Sequence, residues 1–139
     1  MRYKLNKSAN AVFSLYYHLI CVTKYRREVF HGVIAETLKD IIYAQAQGFD
    51  VEIICQETAP DYVHVLFTAK PTLELTKFIN SVKGVSSRVL RAKFPDIKTK
   101  LWRNALWARS YCLITTGQVS LDVLQTYVAS QSPPDTRER

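Results

Sequence analysis

Hydrophobic residues recur along this chain with two periods, and the alternation between them predicts the order of elements. Residues 13 to 23, FSLYYHLICVT, are crowded with aromatic and β-branched side chains and predict a first strand. A basic connector, KYRREVFHG, follows and ends at Gly32. From 33 to 47, Ile34, Leu38, Ile41, Ile42 and Gln45 fall at helical spacing, and Gly48 supplies a stop. VEIICQE returns to a strand pattern, Pro60-Asp61 suits the centre of a turn, and YVHVLFTA completes a hairpin. Pro71-Thr72 opens a second helix over residues 73 to 93, with Leu75, Phe78, Ile79, Val82, Val85, Val89 and Leu90 as its apolar stripe. FPDIKTK breaks that helix, and LWARSYCLITT predicts a fourth strand. Ser120 is a candidate N-cap for a last helix over residues 121 to 131.

The resulting order, β-α-β-β-α-β and then a helix, predicts an α+β, ferredoxin-like (RRM-like) fold. Its four-stranded antiparallel sheet carries two helices on one face. The chain is expected to form one domain over residues 1–131, with SPPDTRER (132–139) as a disordered tail. The fold serves sensors, nucleases and RNA-binding modules alike, so function has to come from particular residues.

Composition narrows the classes. The 139 residues are 47% hydrophobic and 22% charged, which fits a soluble globular domain. Nineteen basic residues against twelve acidic give a net charge of +7, which favours a polyanionic partner such as nucleic acid; the plain alternative is a solubilising surface. The three cysteines, Cys21, Cys55 and Cys112, form no CxxC pair and sit in apolar runs, as free thiols in a reducing compartment would. AVFSLYYHLICV is interrupted by His18 and is too short to cross a bilayer. A cytoplasmic protein without signal peptide or membrane segment is the expectation.

Strand alternation places Tyr62, His64, Leu66 and Thr68 on one face and Val63, Val65 and Phe67 on the other. The Val/Val/Phe face suits packing on the helices, so His64 should look toward the open face of the sheet. A lone histidine is more often structural than a ligand. Tyr127 and Gln131, four residues apart, share one face of the last helix. A phenol there could be a nucleophile, or it could simply pack. In the second helix, Lys77, Arg88 and Arg91 fall opposite the apolar stripe around Gly84, beside Lys83. A basic stripe around a glycine permits close approach of a phosphate backbone; the alternative is a solvated helix face. Lys98, Lys100, Arg103 and Arg109 surround Trp102 and Trp107, a mixture that suits single-stranded nucleic acid unless both tryptophans are core. The facing of His18 depends on one residue of register, and His31 lies in a connector, so neither is assigned to a site.

YYHLICVTKYRREVF, PDYVHVLF, KFINSVKGVSSRVL, LWRNALWARSYCLIT and YVASQ occur in the order found in single-tyrosine HUH transposases of the insertion-sequence 200/605 group. The chain resembles that family over residues 12 to 131. The resemblance implies a dimer that recognises DNA hairpins at the ends of a mobile element and cuts and rejoins single-stranded DNA, with active sites that draw on both subunits. It implies a divalent metal, Mg²⁺ or Mn²⁺, held by two histidines and a glutamine, and a 5′-phosphotyrosine intermediate formed without ATP. Tyr127 matches the nucleophile, Gln131 the glutamine ligand and His64 the second histidine. Lys77, Lys83, Gly84, Arg88, Arg91 and Arg103 are the expected DNA-binding residues.

Tyr62 stands where the family has its first histidine, in Asp61-Tyr62-Val63-His64. A neutral phenol is a poor metal ligand, and loss of a ligand should weaken binding by at least the roughly 10- to 100-fold of a lost outer-shell partner. Three readings follow: an impaired copy that binds DNA; an altered site using His64, Gln131 and another oxygen donor, with Glu57 as candidate; or Tyr62 itself as nucleophile. A non-catalytic module for hairpin or single-stranded nucleic acid, with Tyr62 as a stacking platform, is the rival from another class. A small-ligand domain is the third.

Overall fold

A computed structural model describes residues 6–8, 11–13, 16–115 and 128–130 of the chain. Two short strands, β1 (Asn6–Ser8) and β2 (Ala11–Phe13), pair with each other as a hairpin. The main body runs β3 (Tyr16–Val22), α1 (Gly32–Gly48), β4 (Val51–Ala59), β5 (Tyr62–Ala69), α2 (Leu75–Lys93) and β6 (Cys112–Thr115). The four strands form one antiparallel sheet in the order β4-β5-β3-β6, the ferredoxin-like arrangement that the pattern predicts.

Both helices lie on one face. Ala35, Leu38, Ile42 and Ala46 of α1 and Phe78, Ile79, Val82 and Leu90 of α2 pack on Leu19, Cys21, Val63, Val65 and Phe67 of the sheet. Full burial of each large side chain here contributes about 1.5–3 kcal/mol. Ser86, fully buried in the apolar stripe of α2, is there because its hydroxyl accepts the indole N–H of Trp107 at 2.9 Å. Trp107 is therefore a core residue, its ring tilted 40° against Phe30 with centroids 5.2 Å apart. The helix α1 runs through Gly48 and ends where the Phe49 N–H bonds back to Ala46 and Asp50 turns left-handed (φ 59°).

The fourth strand starts later than its hydrophobic run suggests. Among the described residues Cys112–Thr115 pairs with β3, and the stretch before it forms two isolated bridges, Trp102 with Ala105 and Trp107 with Thr23. Its apolar residues are spent on the helix side, where Leu101, Leu106 and Trp107 join the core. FPDIKTK is a 3-10 turn, Pro95–Lys100, with Ile97 buried. The expected disordered tail, the helix start at Ser120, and both Tyr127 and Gln131 lie outside the described residues.

One irregularity shapes the other face of the sheet. The β4–β5 register jumps between Ile53 and Cys55, leaving Ile54 as a bulged residue. A bulge shifts the phase of alternation by one. Without it, Glu57 would point the same way as Ile53, into the helices; with it, Glu57 stands opposite His64.

Candidate active site

On the helix-free face the pairing sets up rows across the sheet. Glu57, His64, Ile20 and Cys112 form one row; Cys55, Leu66, His18 and Ile114 form the next; Ala59, Tyr62 and Val22 lie on the other side. His18 and His64 are thus diagonal neighbours on adjacent strands, a separation that long side chains span. Their ring nitrogens meet: His18 Nδ1 lies 2.9 Å from His64 Nε2. The planes differ by 15° with centroids 5.2 Å apart, so the rings meet edge to edge with the two nitrogens between them. One proton, and only one, fits between two such nitrogens.

Both imidazoles are largely withdrawn from water. Burial holds His18 below the ordinary histidine range, and the neighbouring His64 charge pushes the same way. Burial also lowers His64, against the pull of Glu57. The Glu57 carboxylate lies 3.7 Å from His64 Nδ1, an ion-pair distance longer than a hydrogen bond, and its side chain is mostly exposed. It favours the tautomer with the proton on Nδ1, which leaves Nε2 to accept from His18.

Sequence reasoning left His18 out, because a strand gives no facing until its partner's register is known. The Tyr17–Phe67 and Tyr16–Thr68 pairs settle it. Glu57 was expected as a substitute ligand. The structure sets it on the Nδ1 edge of His64, away from the edge that faces His18. Tyr62 is half-buried and packs with Cys112, Ile114 and Val128 against Ile20 and Val22. Val128 belongs to the described helical residues 128–130, so this part of the C-terminal helix rests on the row beside the histidines.

Asp61, just before Tyr62, anchors the strand end. Its carbonyl accepts from the Thr23 N–H at 2.9 Å, and its carboxylate accepts from Arg26 Nε at 2.9 Å. Arg26 and Tyr25 both hold left-handed backbone (φ 54° and 57°), as do Arg103 and Asn104 (55° and 61°) in the Trp102–Ala105 turn. The two turns touch. Tyr25 meets Trp102 edge-on at 5.8 Å, Lys24 Nζ lies 5.7 and 5.5 Å from the two ring centroids, and the Arg103 guanidinium stacks 4.6 Å from Trp102. Non-glycine residues in such backbone cost energy that surrounding contacts have to offset.

The expected DNA-binding residues divide. Lys77, Gly84 and Arg88 are exposed on α2, and a side chain at Gly84 would meet open space. Arg91 folds back on its own helix, donating to the Ser87 carbonyl and hydroxyl at 3.1 and 3.2 Å. Lys83 is committed elsewhere: its ammonium donates to the Ala108 and Arg109 carbonyls at 2.8 and 3.0 Å and lies over Tyr111. Burial lowers its pKa, and beside it burial pushes the Cys21 thiol up to about 12. The α2 residues also lie on the layer opposite the histidines, so the structure does not gather all of these groups into one site. Among the described residues no three His, Cys, Asp or Glu side chains converge as a metal cage, and no helix is long and apolar enough to cross a membrane.

Comparison with known proteins decides the family. The model of the family described as "Transposase IS200 like" matches residues 11–131. The chain belongs to the IS200-like transposases. Among its relatives, the ISDra2 transposase TnpA of Deinococcus radiodurans is 38% identical over 128 residues, covering 92% of this chain and 91% of that protein. The transposase for insertion sequence element IS200 of Salmonella typhimurium is 29% identical over 119 residues, covering 86% and 78%. A solved transposase structure from Deinococcus radiodurans R1 superposes with a TM-score of 0.85 at 36% identity, covering 92% of this chain and 98% of that one. A REP-associated tyrosine transposase bound to a REP hairpin shares the fold alone, with TM-score 0.56 and 11% identity over 81% of this chain and 61% of that one. IS200-like transposases cleave and rejoin DNA, and this member carries Tyr62 in its Asp-x-x-His stretch beside the described turn of its C-terminal helix.

Proposed function

We propose that this IS200-like transposase cuts and rejoins single-stranded DNA at hairpin-bearing ends, with Tyr127 as nucleophile. As the Tyr127 oxygen forms its bond to the scissile phosphorus, the phenol gives up its proton. The bond from phosphorus to the 3′ oxygen breaks, and that oxygen leaves as a 3′-OH. The product is a 5′-phosphotyrosine, and the phosphodiester energy is kept for rejoining. The observation that carries this reading is the packing of Val128, next in sequence to Tyr127, on the apolar group of Ile20 and Val22, where Ile20 is the cross-strand partner of His64.

The donor chemistry suits a divalent metal. His64 presents a neutral imidazole nitrogen on a largely buried face, and imidazole ligates divalent first-row ions, more weakly for Mn²⁺ than for Zn²⁺ or Cu²⁺. His64 and Gln131 would hold the ion, which when bound would polarise the scissile phosphate. Lys77 and Arg88 on α2 and the Lys24–Tyr25–Trp102–Arg103 cluster offer cations and aromatic faces to the DNA backbone and bases. A homodimer that completes each site from two chains is part of the proposal.

The test is a denaturing-gel assay for the covalent protein–DNA adduct on single-stranded hairpin DNA with Mn²⁺. Tyr127→Phe should abolish the adduct while DNA binding persists. An adduct that survives this change transfers the nucleophile's role to Tyr62. Hairpin binding without cleavage, under any metal and even in Tyr62→His, would instead support the non-catalytic binding module.

A further inference from the structure

We propose that His18 is a metal ligand in this chain, paired with His64 in the role that Tyr62 cannot fill. The inference rests on the metal-assisted reading of the site given above and shifts one ligand sideways, from β5 to β3.

Three observations carry it. The first is reach. His18 Nδ1 and His64 Nε2 are 2.9 Å apart, and two nitrogens each about 2.1 Å from one ion at a right angle are separated by about 3.0 Å. The nitrogens now face each other across a shared proton. The χ2 torsion of histidine is broad, so turning each ring can aim both lone pairs at one point without moving the strands. Moving the shared proton from His18 Nδ1 to His18 Nε2, the other tautomer of the neutral ring, frees the second lone pair.

The second is support. Ligating histidines characteristically present their other ring nitrogen to a carboxylate, which fixes the tautomer and raises basicity. Glu57 stands at 3.7 Å from the far nitrogen of His64, and it is there because the Ile54 bulge turns it to this face. The third is what Tyr62 does instead. It packs in an apolar group with Ile20 and Val22, and a neutral phenol offers a weak donor in any case.

The experiment measures Mn²⁺ affinity by electron paramagnetic resonance on the full-length protein without DNA. Four proteins are compared: unsubstituted, His18→Gln, Tyr62→His, and the double variant. In the unsubstituted background, His18→Gln should weaken Mn²⁺ binding by at least about 10-fold. In the Tyr62→His background, with two β5 histidines available, the same change should cost about 2-fold or less. Electron spin-echo modulation on the unsubstituted protein counts ligating imidazoles directly and needs no variant to fold; two are expected. Mn²⁺ bound through one imidazole, or bound equally well without His18, overturns the inference and leaves the metal reading standing. Binding that appears only in Tyr62→His overturns both the inference and the metal reading of the unsubstituted chain, and supports the impaired copy. No binding in either background overturns both.

Discussion

Acid should destabilise the metal-free protein through the His18–His64 pair. Burial keeps both imidazoles below the ordinary histidine range, His18 is lowered further by His64, and Glu57 offsets part of the effect on His64. The unfolded chain protonates both near pH ~6.5, so below that value it binds more protons than the folded state. The stabilising contribution is therefore complete above the unfolded value and is lost as pH falls through it toward the folded values. Each excess proton on the unfolded state contributes at most ~1.4 kcal/mol per pH unit, so the pair can supply up to about 2.7 kcal/mol per unit at the steepest point. The second proton is the costlier, because the nitrogens are 2.9 Å apart and two charges would share that gap. Urea unfolding in EDTA at about pH 7.5, 6.5 and 5.5 measures the slope. The double variant His18→Gln/His64→Gln should flatten it across this window. A slope unchanged in the double variant would refute the reasoning, since the acid sensitivity would then belong to other groups.

Two further changes probe the strand end and the aromatic cluster. Asp61→Ala removes the carboxylate from Arg26 while keeping the carbonyl that anchors Thr23; with side chains 12% and 25% exposed, the loss should be about 1–2 kcal/mol in urea midpoint terms, and less than ~0.5 kcal/mol would show the pair to be solvent-screened. Trp102→Ala should lower affinity for single-stranded DNA by about 5- to 150-fold, the worth of one stacked base, whereas the core change Trp107→Ala should cost about 3–5 kcal/mol of stability; filter binding and urea unfolding separate the two, and equal DNA affinity in Trp102→Ala would remove the cluster from the DNA path.

Most of the fold is legible in the sequence because each element buries one face. Leu38, Ile42 and Ala46 repeat at helical spacing in α1, and Val63, Val65 and Phe67 alternate in β5. Those periods report burial, and burial is what the structure satisfies. The run from Leu106 to Thr116 misleads for the same reason. Leu106 and Trp107 are hydrophobic because they enter the core from a loop, with Trp107 hydrogen-bonded to Ser86, and periodicity cannot tell that burial from a strand's.

The site is less legible because it depends on relations between strands. His64 is visible within its own strand, since Val63 and Val65 mark the opposite face. His18 lies in YYHLICV, where both faces are apolar: Leu19 and Cys21 pack under the helices, while Ile20 and Val22 pack on the other side. The β3–β5 register, which pairs Tyr17 with Phe67 and Ile20 with His64, fixes which way His18 points. Glu57 is hidden more deeply, because its facing is reversed by a bulge at Ile54 that no local pattern announces. A single change at Tyr62 therefore reads from the sequence as the loss of half a metal pair. In the folded sheet the histidine count on that face is still two, because the neighbouring strand supplies the other imidazole at hydrogen-bonding distance. Whether a substitution empties a site is decided by what the adjacent strand brings to the same row, and on this face β3 brings His18.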